Sequence, residues 1–231
     1  MTAAALAAIA ITVSPARVNL LGNGTAIVRV ANTGNTTAVM DASRAGFALD
    51  LRGRPRIVTA ASSVWLSFSP SRLWIAPGRA GSLKVTAHAG RGMTPGDHAA
   101  VLLLTQHPVA RGGVAVRTRI GVLVVLRVPG AVVHRLTVTG IRALARRRLA
   151  VSLRNRGNVA ELLQPGRLTV TLWRGRRVVA RLHPTTRELL PRTRGLIELR
   201  YRGLVSGRLT ARVVLATTGQ APFRRAFTLK V

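Results

Sequence analysis

The sequence predicts an all-β chain folded as two tandem antiparallel β-sandwiches, and three observations carry that expectation. Apolar and polar residues alternate with period two along much of the chain, the mark of half-buried strands. Turn signals such as Gly22-Asn23-Gly24, Arg52-Gly53, Arg111-Gly112-Gly113, Gly130 and Arg174-Gly175 recur at short intervals, as a sandwich requires. A strand-and-turn pattern also occurs twice, once in each half.

Taken in order, Met1 to Ala10 is small and apolar, and Ala8-Ile9-Ala10 fits an A-x-A cleavage site, so residues 1–10 read as the remnant of a signal peptide and the chain as extracytoplasmic. Ala26, Val28 and Val30 oppose Thr25, Ile27 and Arg29 on a first clear strand. Leu83, Val85 and Ala87 oppose Ser82, Lys84 and Thr86 on another. Gly113 to Val128 reads as a long final strand or one that switches sheets. Val151 and Leu153, then Leu168, Val170 and Leu172, then Ile197, Leu199 and Tyr201 repeat the alternation in the second half. The expected core comprises Val28, Val30, Leu83, Val85, Leu102, Leu104, Val151, Leu153, Val170, Ile197, Leu199 and Val214.

The repeat sets the domain count. Val28-Arg29-Val30-Ala31-Asn32-Thr33-Gly34-Asn35 matches Val151-Ser152-Leu153-Arg154-Asn155-Arg156-Gly157-Asn158. Pro77 before Leu83 and Val85 answers Pro191 before Ile197 and Leu199. Gly96 before Val101 to Leu104 answers Gly207 before Arg212 to Leu215. Domains of 11–128 and 131–231 follow, joined by a linker over Arg127 to Arg135. The second copy lacks most of Phe47 to Leu73. In each copy the first Asn is expected to bond turn backbone, and Gly34 and Gly157 to take a positive φ.

Composition narrows the function. The 231 residues are 48% hydrophobic with a net charge of +30, which excludes a disordered basic tail and suits two modules. With no Cys, disulfides and thiolate metal sites are excluded. A GC-rich genome explains Arg over Lys, but it does not explain the presence of only six acids, so an anionic partner is expected. Residues 131–231 carry +19 against +11 before them. Arg146, Arg147 and Arg148, with Arg174, Arg176 and Arg177, are the candidate anion-binding residues, because guanidinium groups pair with phosphate and carboxylate through two hydrogen bonds. Trp74 and Trp173 are candidate sugar-stacking residues, with core or sheet-rim packing as the alternative for Trp74, whereas Trp65 belongs to the core.

Nothing in the sequence resembles a catalytic, metal or cofactor constellation. Asp97-His98 is the only adjacent acid and imidazole, but strand neighbours point to opposite faces. The other histidines show no metal-ligand spacing, and neither a nucleophile elbow nor a phosphate-binding loop occurs. No run reaches the length of a membrane helix; Ile120 to Val128 is the nearest.

The order Ser14-Pro15-Ala16-Arg17-Val18, Val30-x-Asn32-x-Gly34-Asn35, Trp65 to Pro70, Leu73 to Gly78, Pro95-Gly96-Asp97-His98, Val128-Pro129-Gly130 and Leu153 to Asn158 resembles bacterial immunoglobulin-like surface modules. In particular it is similar to the WxL-interacting proteins of Gram-positive bacteria. That resemblance implies a peptidoglycan-binding immunoglobulin-like domain followed by a second one that contacts a host or partner protein. The chain departs from it at His98 and Leu209, where a Tyr is usual, in lacking a C-terminal membrane segment, and in its basic charge. The expected function is an exported, non-catalytic, immunoglobulin-like module that binds a cell-wall polymer or another surface protein. The alternative is a periplasmic pilus-chaperone-like protein that donates a strand, with Gly113 to Val128 lending the edge. A nucleic-acid binder is a further alternative, disfavoured by the spread of the basic residues and the scarcity of aromatics.

Overall fold

Strands form where the alternation places one apolar face against another sheet, and the turns between them fall on the Gly and Asn positions. The computed structural model describes residues 10–59, 63–107, 117–202, 207–219 and 221–230. The proposed leader at 1–9 and the segment 113–116 of the long strand lie outside the described residues. Two compact units emerge. One takes in the described chain to Ala48, Ile57–Thr94 and His98–Pro129; the other takes in Leu49–Arg56, Pro95–Asp97 and the chain from Gly130 onward. Arg127 and Val128, expected in a linker, complete a strand.

The first sandwich runs β1 (Ile11–Ser14), β2 (Arg17–Leu21), β3 (Gly24–Asn32), β4 (Ala38–Leu49), β5 (Pro55–Val58), β6 (Leu66–Ser69), β7 (Arg72–Ile75), β8 (Ala80–Ala87), β9 (Gly96–Gln106) and β10 (Arg119–Val128). One sheet has the order β1-β3-β8-β6, the other β2-β10-β9-β4-β5 with β7 also on β4. Two strands change sheets. β1 pairs with β3, whereas its continuation β2 pairs with β10; β6 pairs with β8, whereas β7 pairs with β4. Each change falls at a Ser-Pro step with a cis peptide, Ser14-Pro15 and Ser69-Pro70. Because β2 arrives by such a switch, it runs parallel to β10, a departure from the antiparallel rule.

The core lies between these sheets. Val28, Val85, Trp65 and Leu66 meet Leu102, Val122, Val124 and Leu126, and Val30 and Leu83 meet Met40 and Leu104. Each such aliphatic side chain contributes about 1.5–3 kcal/mol through burial.

The second sandwich comprises β11 (Leu136–Leu144), β12 (Arg148–Asn155), β13 (Glu161–Leu163), β14 (Leu168–Arg174), β15 (Arg177–Leu182), β16 (Arg187–Leu189), β17 (Arg194–Arg200), β18 (Arg208–Leu215) and β19 (Phe223–Lys230). A sheet β11-β12-β17 faces a sheet β15-β14-β18-β19, with a short ribbon β13-β16 beside them. Val151, Leu153, Val170, Ile197 and Leu199 are buried here as expected. Val214 is not. It is 39% exposed, and Leu209, Ala211, Val213 and Leu215 fill the core instead. The run Val213-Val214-Leu215 is apolar on both faces, so alternation left its register open by one residue.

The duplicated Asn acts alike in both units. Asn32 Oδ1 accepts from Gly34 N at 3.0 Å while its Nδ2 donates to the carbonyls of Thr36 and Ile75. Asn155 Oδ1 accepts from Gly157 N at 2.8 Å while its Nδ2 donates to Val159 and Leu190. The glycine expectation is corrected: neither Gly34 nor Gly157 has a positive φ. Gly157 is glycine for lack of room, since a Cβ there would stand 2.2 Å from the carbonyl oxygen of Val133.

Candidate functional site

The feature best placed to bind another chain is the edge of β10, and it follows from the sheet switch. On the side of β2 the ladder begins at Leu123, whose N–H donates to Ala16 at 3.0 Å, and continues to Arg127. Beyond that point strand β1 has left for the other sheet, so among the described residues Arg119–Val122 extends past its neighbour. On the opposite side Thr118 accepts from Gln106 N at 2.9 Å. Backbone direction alternates along a strand, so the groups of Arg119 and Gly121 point toward the open side, as does the N–H of Leu123. Val122 is buried and Ile120 half-buried on the core side, while Arg119 and Gly121 are exposed. Gly121 lies close over Val101, where a Cβ would meet Cγ2 at 3.0 Å. An edge of this kind offers unpaired main-chain donors and acceptors and alternate apolar side chains to an added strand.

The sequence-predicted basic residues fall elsewhere, in the second unit. Arg146 and Arg147 form the β11–β12 turn, exposed and at φ 59° and 56°. Arg148 is drawn into β12, where its guanidinium donates to Glu198 Oε2 at 2.9 Å. Arg174, Arg176 and Arg177 form the exposed β14–β15 hairpin tip. Of the two tryptophans, Trp74 belongs to the first unit and is 67% exposed with Arg72 above its ring, so core packing is corrected. Trp173 belongs to the second unit; the Arg212 guanidinium covers its ring at 4.6 Å, and its indole N–H is buried without a partner. His98 Nε2 turns to the carbonyl of Thr94 at 2.8 Å.

Two charged clusters escaped the sequence reading because their members are far apart in the chain. Asp41 accepts from Arg72 Nε at 2.6 Å and lies against His107 on the exposed surface of the first unit. The Arg72 hydrogen bond, ahead of the opposing partial burial and with help from His107, holds the Asp41 carboxyl below the usual carboxylate range. In the second unit the buried Glu161 faces His134 Nδ1 at 2.9 Å and binds the Arg167 guanidinium. This clip joins the residues just before β11 and β14 and reads as structural.

No family model matches the chain, and no curated protein sequence matches it. Solved structures do. The chain is similar to the class 5 fimbriae chaperone CfaA at 11% identity, TM-score 0.60, over 96% of this chain and 99% of that one. It is similar at 12% identity and TM-score 0.53 to a chain from the Salmonella enterica SafA pilin in complex with the SafB chaperone, covering 96% and 99%. It is similar, again at 12% and 0.53, to a chain from the Acinetobacter baumannii CsuC-CsuE chaperone-tip adhesion subunit pre-assembly complex, covering 95% and 98%. At such identities the likeness is one of architecture, and it shows the fold to be two tandem immunoglobulin-like β-sandwiches.

Proposed function

We propose that this chain is a non-catalytic, extracytoplasmic binding protein that holds an extended segment of a surface-subunit partner along the open edge of β10, in the manner of a pilus chaperone. The observation that carries this reading is the register, in which Arg119–Val122 continues beyond β2 with the backbone groups of Arg119 and Gly121 turned outward. The similarity in fold to chaperones whose structures are described with a pilin or a tip adhesion subunit supports a strand-donating role over a wall-binding one.

Binding by strand addition draws its affinity from main-chain hydrogen bonds, each worth about 0.5–1.5 kcal/mol net, and its selectivity from the alternate side chains. Arg119→Pro removes an outward donor at the first residue of the strand, where proline is tolerated. The experiment is amide exchange on the full chain with and without a secreted immunoglobulin-like subunit that lacks its last strand. Protection of Arg119 and Gly121 in the unsubstituted chain, with the Gly121 protection lost in the Arg119→Pro variant, is the expected result. Binding that leaves both amides unprotected would overturn the reading.

A further inference from the structure

One end of the second sandwich carries a group of exposed arginines distinct from those at its other end, Arg135, Arg194, Arg224 and Arg225, and the topology shows which. Glu161 binds both His134, just before β11, and Arg167, just before β14, so those two strands start from the same end. Both run away from it. The β11–β12 turn with Arg146 and Arg147 and the β14–β15 tip with Arg174, Arg176 and Arg177 therefore share the far end. β17 finishes there too, since Tyr201 N donates to the carbonyl of Arg147 at 3.1 Å. Exposed Arg202 follows it, and exposed Arg208 opens β18 beside the end of β14. The sequence separates these residues; antiparallel pairing brings them together.

Arg146 and Arg147 give a second, independent sign. Both occupy the left-handed region at φ 59° and 56° in a hairpin turn, where Asn and Gly are the low-cost residues. Two consecutive arginines there are a local conflict between backbone and side chain, of the kind that points to function. Of the acids in this sandwich, Glu198 is engaged by Arg148 and Arg52, and Glu161 lies at the opposite end.

The shape of the array selects the ligand. Tips from both sheets, roughly 10 Å apart, present charge across a blunt end. These separations are about one screening length at physiological salt, so the charges act in concert. Aromatic faces that would stack bases are covered: Tyr201 is buried and Trp173 lies under Arg212. We infer that this end of the second sandwich docks on the phosphate headgroups of an anionic lipid bilayer.

The test is co-sedimentation of the full chain with vesicles of phosphatidylglycerol and phosphatidylcholine, against phosphatidylcholine alone, at rising salt. Binding to the anionic vesicles only, fading with salt, is expected. The Arg146→Asn/Arg147→Gly variant, and separately Arg174→Ser/Arg176→Ser, should each weaken it by at least about tenfold. The Arg224→Ser/Arg225→Ser variant removes the same charge near the start of β19, at the opposite end, and should change it less than about twofold. The second tip pair decides if the first lowers the unfolding midpoint. Equal loss from all three variants would show a net-charge effect and overturn the proposal. So would tip-dependent binding of duplex DNA in place of vesicles.

Discussion

Asn32 Nδ2 donates to the carbonyl of Ile75 at 2.9 Å, so one buried side chain ties the end of β3 to the end of β7. Asn155 makes the corresponding bond to Leu190 at 3.1 Å in the second unit. The repeat visible in the sequence is therefore a repeat of hydrogen bonds: in both units the amide reaches the segment just ahead of the matched Pro77 and Pro191.

Replacing either Asn by Ala leaves several buried backbone groups without a partner. The expected cost is about 2–3 kcal/mol in the affected unit. Amide exchange on the full chain, resolved by sandwich, should show lost protection in one unit only.

Gly157→Ala should destabilise the second sandwich by about 1–3 kcal/mol, because the new Cβ must displace backbone. Gly175→Ala meets open space, and its cost of about 1 kcal/mol comes from the positive φ alone. Melting of the two variants separates crowding from conformation.

The register of β18 makes a sharp contrast. Val213→Asp puts a charge into the core and should unfold the second sandwich, whereas Val214→Asp, on the exposed face, should cost less than about 1 kcal/mol. Circular dichroism and thermal melting distinguish them, and the opposite order would place the strand one residue out.

Asp41 has a lowered folded-state pKa, set first by Arg72 and then by His107. Its ionised form therefore adds stability above the ordinary carboxylate pKa, and that contribution disappears as pH falls through the lowered value. Asp41→Asn should melt below the unsubstituted chain at neutral pH, with the gap closing in acid. Salt should narrow it as well, since the pair is exposed.

Much of this architecture was legible. Alternation gave Leu83 and Val170 their inward faces because both neighbours of each are polar. It failed at Val214, where both neighbours are apolar. The Asn staple was legible as a short-range motif, but the reason for Gly157 was not, since the carbonyl it must avoid belongs to Val133, more than twenty residues earlier. Arg146 to Arg148 and Arg174 to Arg177 stood out as charge runs; their meeting at one end depends on strand direction, which composition does not encode. The Asp41–Arg72–His107 cluster was invisible for the same reason.

The parallel pairing of β2 with β10 has a consequence for how the chain is made. Its partners are separated by roughly a hundred residues, a costly loop to close. On the ribosome β2 must wait, unpartnered in this sheet, until β10 has emerged. The second sandwich instead contains hairpin neighbours at β11–β12, β14–β15 and β18–β19, each able to zip as it appears. Nascent chains halted before Arg119 should thus present an unfinished first sandwich to chaperones and proteases, and acquire resistance only after Val128 is exposed.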